Sequence, residues 1–281
     1  MNKPNRTHTS GIAREIHWMP RLARLAVPLV AVAAAMCPGR SAAQTNVYSA
    51  GHADIAIEYD ETSERFEILL DVDNGTVNGL PGVSEAFALD DIVTTTTATF
   101  ERPDDAAFGG FFSPLGVGIG ETVHWFPQSN QDAGALGVPF LGWRLSAASG
   151  ALENDEVSVR LQQVQAPAGG SFSLWGFAGI APVFHIASSD GIDASDELVL
   201  DVGHDHFNLG FSPSSPAGNW VLSFTVNGTR AGGQAVEQSF DLRVQTLNPA
   251  PAPATTPWTL VFLAGALILV GYWVQRRRLV A

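Results

Sequence analysis

The sequence predicts an all-β fold for residues 44–247, an antiparallel β-sandwich of the immunoglobulin-like or jelly-roll-like type. Short segments of alternating apolar and polar residues recur along this region. Alternation with a period of two is typical of half-buried strands. Clusters of Gly, Pro, Asn and Asp separate the segments, as turns between strands require. Few windows show the 3.6-residue period of an amphipathic helix.

Each strand is predicted from its local pattern. In residues 65–72, Phe66, Ile68 and Leu70 alternate with other side chains, and a turn follows at 73–75. Residues 92–100 are rich in β-branched side chains, which favour strands. The predicted strands cover residues 53–59, 65–72, 92–100, 121–126, 140–145, 156–165, 171–177, 183–187, 197–202, 220–227 and 235–245.

Residues 1–43 have the pattern of a secretory signal peptide. Arg14, Arg21 and Arg24 form a basic region, residues 25–36 are apolar, and a small-x-small cleavage pattern ends at Ala43. The sequence therefore predicts an exported protein.

The other end predicts a membrane anchor. Residues 248–257 form a Pro/Ala linker, which favours an extended chain. Residues 258–281 contain an uncharged apolar run followed by three arginines at 276–278, the pattern of a transmembrane helix with a cytoplasmic end. The tail resembles PEP-CTERM sorting signals, although Pro-Ala-Pro stands in place of Pro-Glu-Pro. This resemblance implies a sorting protease as a partner. We expect a protein of the cell envelope or surface, held by one C-terminal transmembrane segment or by a processed sorting tail.

Charge and cysteine content exclude several classes of function. Residues 44–257 carry 27 acidic side chains against six arginines and no lysine. Such a surface repels nucleic acid, so DNA or RNA is not an expected partner. The single cysteine, Cys37, lies in the signal segment. The exported domain therefore has no disulfide and no thiolate metal site.

Three pairs of ligand-type residues are spaced i and i+2, which places both members on one face of a strand. Imidazoles and carboxylates together suit a divalent metal such as Zn, Mn or Ca. The alternative is that these side chains cap turns at strand ends. The candidate metal ligands are His52, Asp54, Asp71, Asp73, His204 and His206.

Other functions have less support in the sequence. The chain lacks a Gly-x-Ser-x-Gly elbow and a His-Glu-x-x-His motif, so we expect no enzyme. A structural or adhesive module remains an alternative, with a cell-surface glycan or protein as its partner. Carbohydrate binding would need exposed rings for stacking. The candidate rings are Trp125, Trp143, Trp175 and Trp220.

Three blocks resemble the choice-of-anchor M family, which is related to the actinobacterial surface-anchored repeat. They are the opening Gly51-His52-Ala53-Asp54, the middle block of residues 116–142, and the closing Gly203-His204-Asp205-His206. The resemblance implies a surface domain that is attached by varied anchors, and it points to metal handling. Family members carry a His-x-His pair near the end of the second strand, where this chain has Asp71 and Asp73.

Overall fold

The computed structural model describes residues 45–167 and 169–249, and most of them belong to strands. The strands, numbered in chain order, are β1 (Asn46–Asp60), β2 (Arg65–Val77), β3 (Leu80–Ala88), β4 (Ile92–Thr96), β5 (Thr99–Glu101), β6 (Thr122–Phe126), β7 (Pro139–Ser146), β8 (Glu156–Gln165), β9 (Ser171–Ala178), β10 (Ala181–Ala187), β11 (Glu197–Asp201), β12 (Gly203–His206), β13 (Asn208–Ser212), β14 (Asn219–Thr229) and β15 (Ala235–Thr246).

One short α-helix, α1 (Asn130–Leu136), precedes β7. The Ser129 hydroxyl caps it by accepting a hydrogen bond from the Asp132 N–H, and Gly137 ends it in the left-handed conformation. This helix was not predicted from the sequence. Short 3-10 turns lie at Leu89–Asp91, Ala106–Phe108, Ser113–Leu115, Glu153–Asp155 and Ser188–Asp190.

The strands of the described residues form two sheets. The larger sheet has the order β11-β8-β14-β15-β4-β1-β2-β3, and β7 pairs with both β1 and β12. The smaller sheet has the order β10-β9-β13-β6-β5. The expected all-β fold is therefore present and most strand pairs are antiparallel, but the larger sheet is mixed and not antiparallel throughout. The pairs β1–β4, β1–β7 and β4–β15 are parallel, because long connections bring these strands together in the same direction.

A bulge in β1 determines which strand lies beside it. Residues 46–48 pair with β4, whereas residues 51–58 pair with β7. The pairing with β2 shifts register between Tyr48 and His52, and Gly51 has a φ of 91°. A Cβ at Gly51 would lie 2.6 Å from the Gly75 Cα, so the two backbones approach too closely for any other residue. The bulge allows β1 to pair with β4 before it and with β7 after it, and it immediately precedes His52.

The core lies between the two sheets. Ile55, Trp143 and Phe224 of the larger sheet are fully buried, as are Phe172 and Phe211 of the smaller one. The Phe172 and Phe224 ring centroids are 6.2 Å apart, so the facing layers are in contact. The arrangement is sandwich-like, and a finer assignment to the immunoglobulin or jelly-roll type stays a prediction.

Each predicted strand overlaps a strand of the structure, with ends that differ by one residue at 121 and 202, and the segment at 92–100 is divided between β4 and β5. β3, β12 and β13 were not among the predicted strands, although the His204/His206 pair of β12 was expected to share one face of a strand. The segments predicted as a signal peptide (1–43) and as a sorting tail (258–281), and most of the predicted 248–257 linker, lie outside the described residues. In the part of the chain that the structure describes, no helix has the length and apolar character needed to cross a membrane.

His124 on β6 predicts an acid-sensitive fold. Its ring is fully buried, and neither nitrogen has a hydrogen-bond partner among the described residues. Burial lowers the pKa of His124, and the nearby backbone of Ser214 and Ala98 offsets this only in part. As the pH falls, His124 is therefore protonated in the unfolded state before it is protonated in the folded state. Through this group, stability falls as the pH drops below the unfolded pKa near 6.5, by at most about 1.4 kcal/mol per pH unit.

We expect His124→Phe to weaken this acid sensitivity. Thermal unfolding of both proteins at pH 7.5 and pH 5 checks the prediction, because the imidazole is neutral in both states at the higher pH. The fall in Tm between the two pH values should be smaller in the variant. An equal fall in both proteins would contradict it.

Candidate metal centre

Three adjacent strands, β12, β7 and β1, present the histidine-rich residues on one face of the larger sheet. His206 lies opposite Gly142 of β7, and Gly142 lies opposite Asp54 of β1. His52 precedes Asp54 by two residues, and His204 precedes His206 by two, so each pair shares a face. The intervening residues of β1 and β7, such as Ala53 and Leu141, point into the core. Strand alternation therefore places the candidate ligands on the face opposite the core.

Four of the six predicted ligands come together in space. One ligand atom from each of His52, Asp54, His204 and His206 lies within 4.8 Å of all the others. The Asp54 Oδ1 is 3.4 Å from the His52 Nε2 and 3.3 Å from the His204 Nε2. Ligands about 2.05 Å from a tetrahedral zinc ion are separated by about 3.3 Å. These two separations therefore match a shared metal ion.

The Asp54 carboxylate is the strongest evidence for such an ion. Asp54 is only 5 % exposed, and its Oδ1 makes no hydrogen bond with any described residue. The neighbouring imidazole nitrogens are near enough for hydrogen bonding, but they do not have the geometry for it. A buried carboxylate oxygen without a partner is costly. A cation between Asp54 and the imidazoles would remove this cost.

Gly142 leaves the space that this group occupies. A Cβ at this position would overlap the Asp54 Oδ1, and it would lie 2.8 Å from the His206 Cε1. Any larger residue at the centre of β7 would therefore displace two of the four side chains. The backbone conformation of Gly142 does not require glycine, since its φ is not positive. Space alone explains glycine at this position.

The His206 ring is held by Phe140. The His206 and Phe140 rings stack with centroids 3.6 Å apart and an interplanar angle of 9°. The centroid of the Phe140 ring is also 5.4 Å from that of the His52 ring. Neither His206 nitrogen has a hydrogen-bond partner in the described part of the chain. The pKa of His206 is lowered to about 4, first by burial and then by the neighbouring His204 and His52, although the backbone of Leu141 and the Asp54 carboxylate oppose this shift in part. The ring is therefore neutral near pH 7, the form that donates a lone pair to a metal.

Asp71 does not join the four-residue group, because Arg144 engages it. The Asp71 Oδ2 is 2.8 Å from the Arg144 Nη2. The same guanidinium lies 3.2 Å from the Glu58 Oε1 and 3.9 Å from the Asp54 Oδ2. Partial burial lowers the pKa of Arg144, but the surrounding carboxylates, led by Asp71, outweigh this and raise it. Arg144 thus remains a cation at the edge of the centre.

Asp73 also lies outside the group. It is opposite His52 in the β1–β2 pairing, and its Oδ1 is 3.5 Å from the Ser84 hydroxyl. A groove lined by Asp71, Asp73 and Ser84 also includes His52 and Asp54 of the centre. Gly142, Phe140 and Arg144 were not predicted as residues of the site. All three lie on the predicted strand at 140–145, and this position was the one indication in the sequence that they could line the site. Their residue types are not those of typical metal ligands.

The tryptophans considered for carbohydrate stacking lie mostly in the interior. Trp143, Trp175 and Trp220 are at most 1 % exposed. Trp125 is partly buried against Phe100, and its indole N–H donates to the Asn208 Oδ1 at 2.9 Å. These four side chains therefore do not form an exposed stacking surface.

Comparison with known proteins adds no family assignment. Neither a scan against protein-family models nor a search of curated proteins finds a match to this chain. The resemblance to the choice-of-anchor M family therefore stays a prediction from the three sequence blocks.

Proposed function

We propose that this protein is a non-catalytic, exported domain that binds one divalent transition-metal ion through His52, Asp54, His204 and His206. The observation that carries the proposal is the buried Asp54 Oδ1, which lies between two imidazole nitrogens and has no hydrogen-bond partner among the described residues. Turn capping, the alternative for these residues, leaves this oxygen unexplained. The absence of a recognised catalytic motif in the sequence supports a binding role over an enzymatic one.

The ligand set favours zinc over calcium. Three imidazoles and one carboxylate form the group, and imidazole nitrogen suits zinc and related transition metals. Calcium takes about six to eight oxygen ligands, far more than this group offers. Manganese lies between these cases, because it accepts both imidazole and carboxylate. We therefore propose zinc as the preferred ion, manganese as a weaker one and calcium as the weakest.

Export and attachment to the cell surface complete the proposal. They are supported by the signal pattern of residues 1–43, the apolar tail at 258–281 and the resemblance of three sequence blocks to the choice-of-anchor M family. On this proposal the membrane is a partner through the tail, and a sorting protease acts on that tail. The centre would then be displayed outside the cytoplasm.

Metal analysis of the full chain, purified without chelator, tests the binding proposal. We expect about one zinc ion per chain, and an apparent stabilisation of about 2.7 kcal/mol when free zinc is 100 times its Kd. The double variant His204→Ala/His206→Ala should lose the ion, because it removes half of the ligands.

Asp205→Ala is the matched control. Asp205 lies between the two histidines on the same strand, and it is not a member of the group. This variant should retain the ion. If the unsubstituted chain takes up no zinc, manganese or calcium even after soaking, the metal proposal is wrong. The protein would then be an adhesive or structural surface module, and glycan screening would follow.

A further inference from the structure

We propose that Arg144 determines which cations the centre accepts, by withholding carboxylate oxygens that calcium and manganese would use. This inference rests on the proposed metal-binding function. It concerns the choice among ions rather than binding itself, and it assigns a role to a residue that is not a ligand.

The position of Arg144 brings it to the edge of the centre. It follows Gly142 by two residues on β7, so both occupy the same face of the sheet, and it lies opposite His204 of β12. Its side chain is 30 % exposed. The guanidinium is therefore partly screened from water, and its contacts are stronger than those of a free surface arginine.

Arg144 contacts several carboxylates at once. It lies 2.8 Å from Asp71, 3.2 Å from Glu58 and 3.9 Å from Asp54. In the described residues, each of the other arginines has at most one carboxylate within ion-pair distance. This convergence distinguishes Arg144 from the arginines that pair with a single carboxylate.

The contact with Asp54 divides the two oxygens of that carboxylate. Oδ1 faces the imidazoles of His52 and His204, whereas Oδ2 faces Arg144. Asp54 is therefore disposed to give a metal one oxygen rather than two. The nearest additional carboxylate, Asp71, is occupied by the same guanidinium.

These contacts affect hard and borderline cations differently. A zinc ion is satisfied by four ligands, and the centre supplies four without help from Asp71. Calcium and manganese gain more from extra carboxylate oxygens, including a bidentate one. The positive charge of Arg144 weakens the binding of every cation. Because Arg144 also engages the Asp71 carboxylate and the Asp54 Oδ2, the binding of calcium and manganese is weakened more than that of zinc. Removing Arg144 should therefore weaken the discrimination between ions.

Titration of the full chain with ZnCl₂, MnCl₂ and CaCl₂, after chelator treatment and desalting, tests the inference. We expect Arg144→Gln to raise the affinities for manganese and calcium by about tenfold, and to raise the zinc affinity by less. The ratio of zinc to manganese affinity should fall. In the double variant Asp71→Asn/Arg144→Gln this ratio should recover in part, because residue 71 no longer has a carboxylate that manganese could use.

Two further variants complete the design. Arg160→Gln removes an arginine that pairs with Glu197 between β8 and β11, and it should leave the ratio unchanged. Arg144→Lys keeps the charge but lacks the fork that reaches several carboxylates. We expect it to lower the ratio by about threefold. If Arg144→Gln does not fold, Arg144→Lys decides the question.

The outcomes separate this inference from the proposed function. Zinc binding by the unsubstituted chain, with the same ratio in all Arg144 variants, overturns the role of Arg144 and leaves the metal centre intact. If the affinities for all three ions change by the same factor, the role of Arg144 in selectivity is also overturned, since Arg144 would then act through its charge alone. Failure of the unsubstituted chain to bind any of the ions removes the proposed function, and this inference with it.

Discussion

Gly142→Ala is expected to abolish tight metal binding, with the affinity for zinc reduced about 100-fold. The added methyl group would overlap the Asp54 Oδ1 and would lie 2.8 Å from the His206 Cε1. Asp54 and His206 come from strands on opposite sides of Gly142, so one methyl group disturbs ligands of both strands. The site cannot expand easily, because β7 is held between β1 and β12 by strand pairing.

A zinc titration followed by calorimetry measures this effect, and thermal unfolding reports the accompanying loss of stability. Overpacking of this kind costs about 1–3 kcal/mol. The matched control is Gly134→Ala in α1, where nothing lies within 4 Å of the added Cβ. This change should leave zinc binding unaltered, and it should stabilise the helix by up to about 1 kcal/mol. Zinc affinity in Gly142→Ala within threefold of the unsubstituted chain would contradict the assignment of the centre.

Trp143→Ala is expected to lower the free energy of unfolding by about 3–5 kcal/mol. Trp143 is fully buried on the opposite face of β7 from the candidate metal centre. Its ring meets Phe224 edge to face at a centroid distance of 5.6 Å, and Phe240 lies 6.4 Å away. Replacement by alanine leaves a cavity that these rings fill only in part. Most domains have a stability of about 5–15 kcal/mol, so the loss would be a large share of the total.

Urea unfolding measures this loss as a shift of the midpoint at constant slope. Trp143→Phe should cost less than Trp143→Ala. Phenylalanine keeps most of the apolar contact, and the substitution removes an indole N–H that has no hydrogen-bond partner in the described chain. Val199→Ala on β11 is the control, since Val199 is 57 % exposed and its truncation should change stability by less than about 0.5 kcal/mol. A loss below about 1.5 kcal/mol in Trp143→Ala would place this residue outside the main core.

The two substitutions test opposite faces of one strand. Gly142 and Trp143 are neighbours in sequence, yet Gly142 faces the candidate metal centre and Trp143 faces the core. Loss of metal affinity should therefore dominate in the first variant, and loss of unfolding free energy should dominate in the second. Strand β7 carries both functions because successive side chains of a strand point to opposite faces.

The sequence by itself determined the strand content and the pairing of ligand-type residues. Alternating segments such as residues 65–72 identify strands because burial of one face leaves a period of two. The same period places His52 with Asp54, and His204 with His206, on common faces. This local geometry needs no knowledge of the fold. The strands β3, β12 and β13 escaped prediction because exposed or fully buried strands do not alternate clearly.

Only the tertiary structure decided which pairs meet. The parallel pairing of β1 with β7 and the antiparallel pairing of β7 with β12 bring residues 52 and 204 together across about 150 positions of chain. Asp71 and Asp73 have the same spacing as the histidine pairs, but the former is bound by Arg144 and the latter lies beside Ser84. Gly142 and Arg144 matter only because of their neighbours on adjacent strands. Spacing along a strand determines the face on which a side chain lies, whereas strand order and register determine what that side chain contacts.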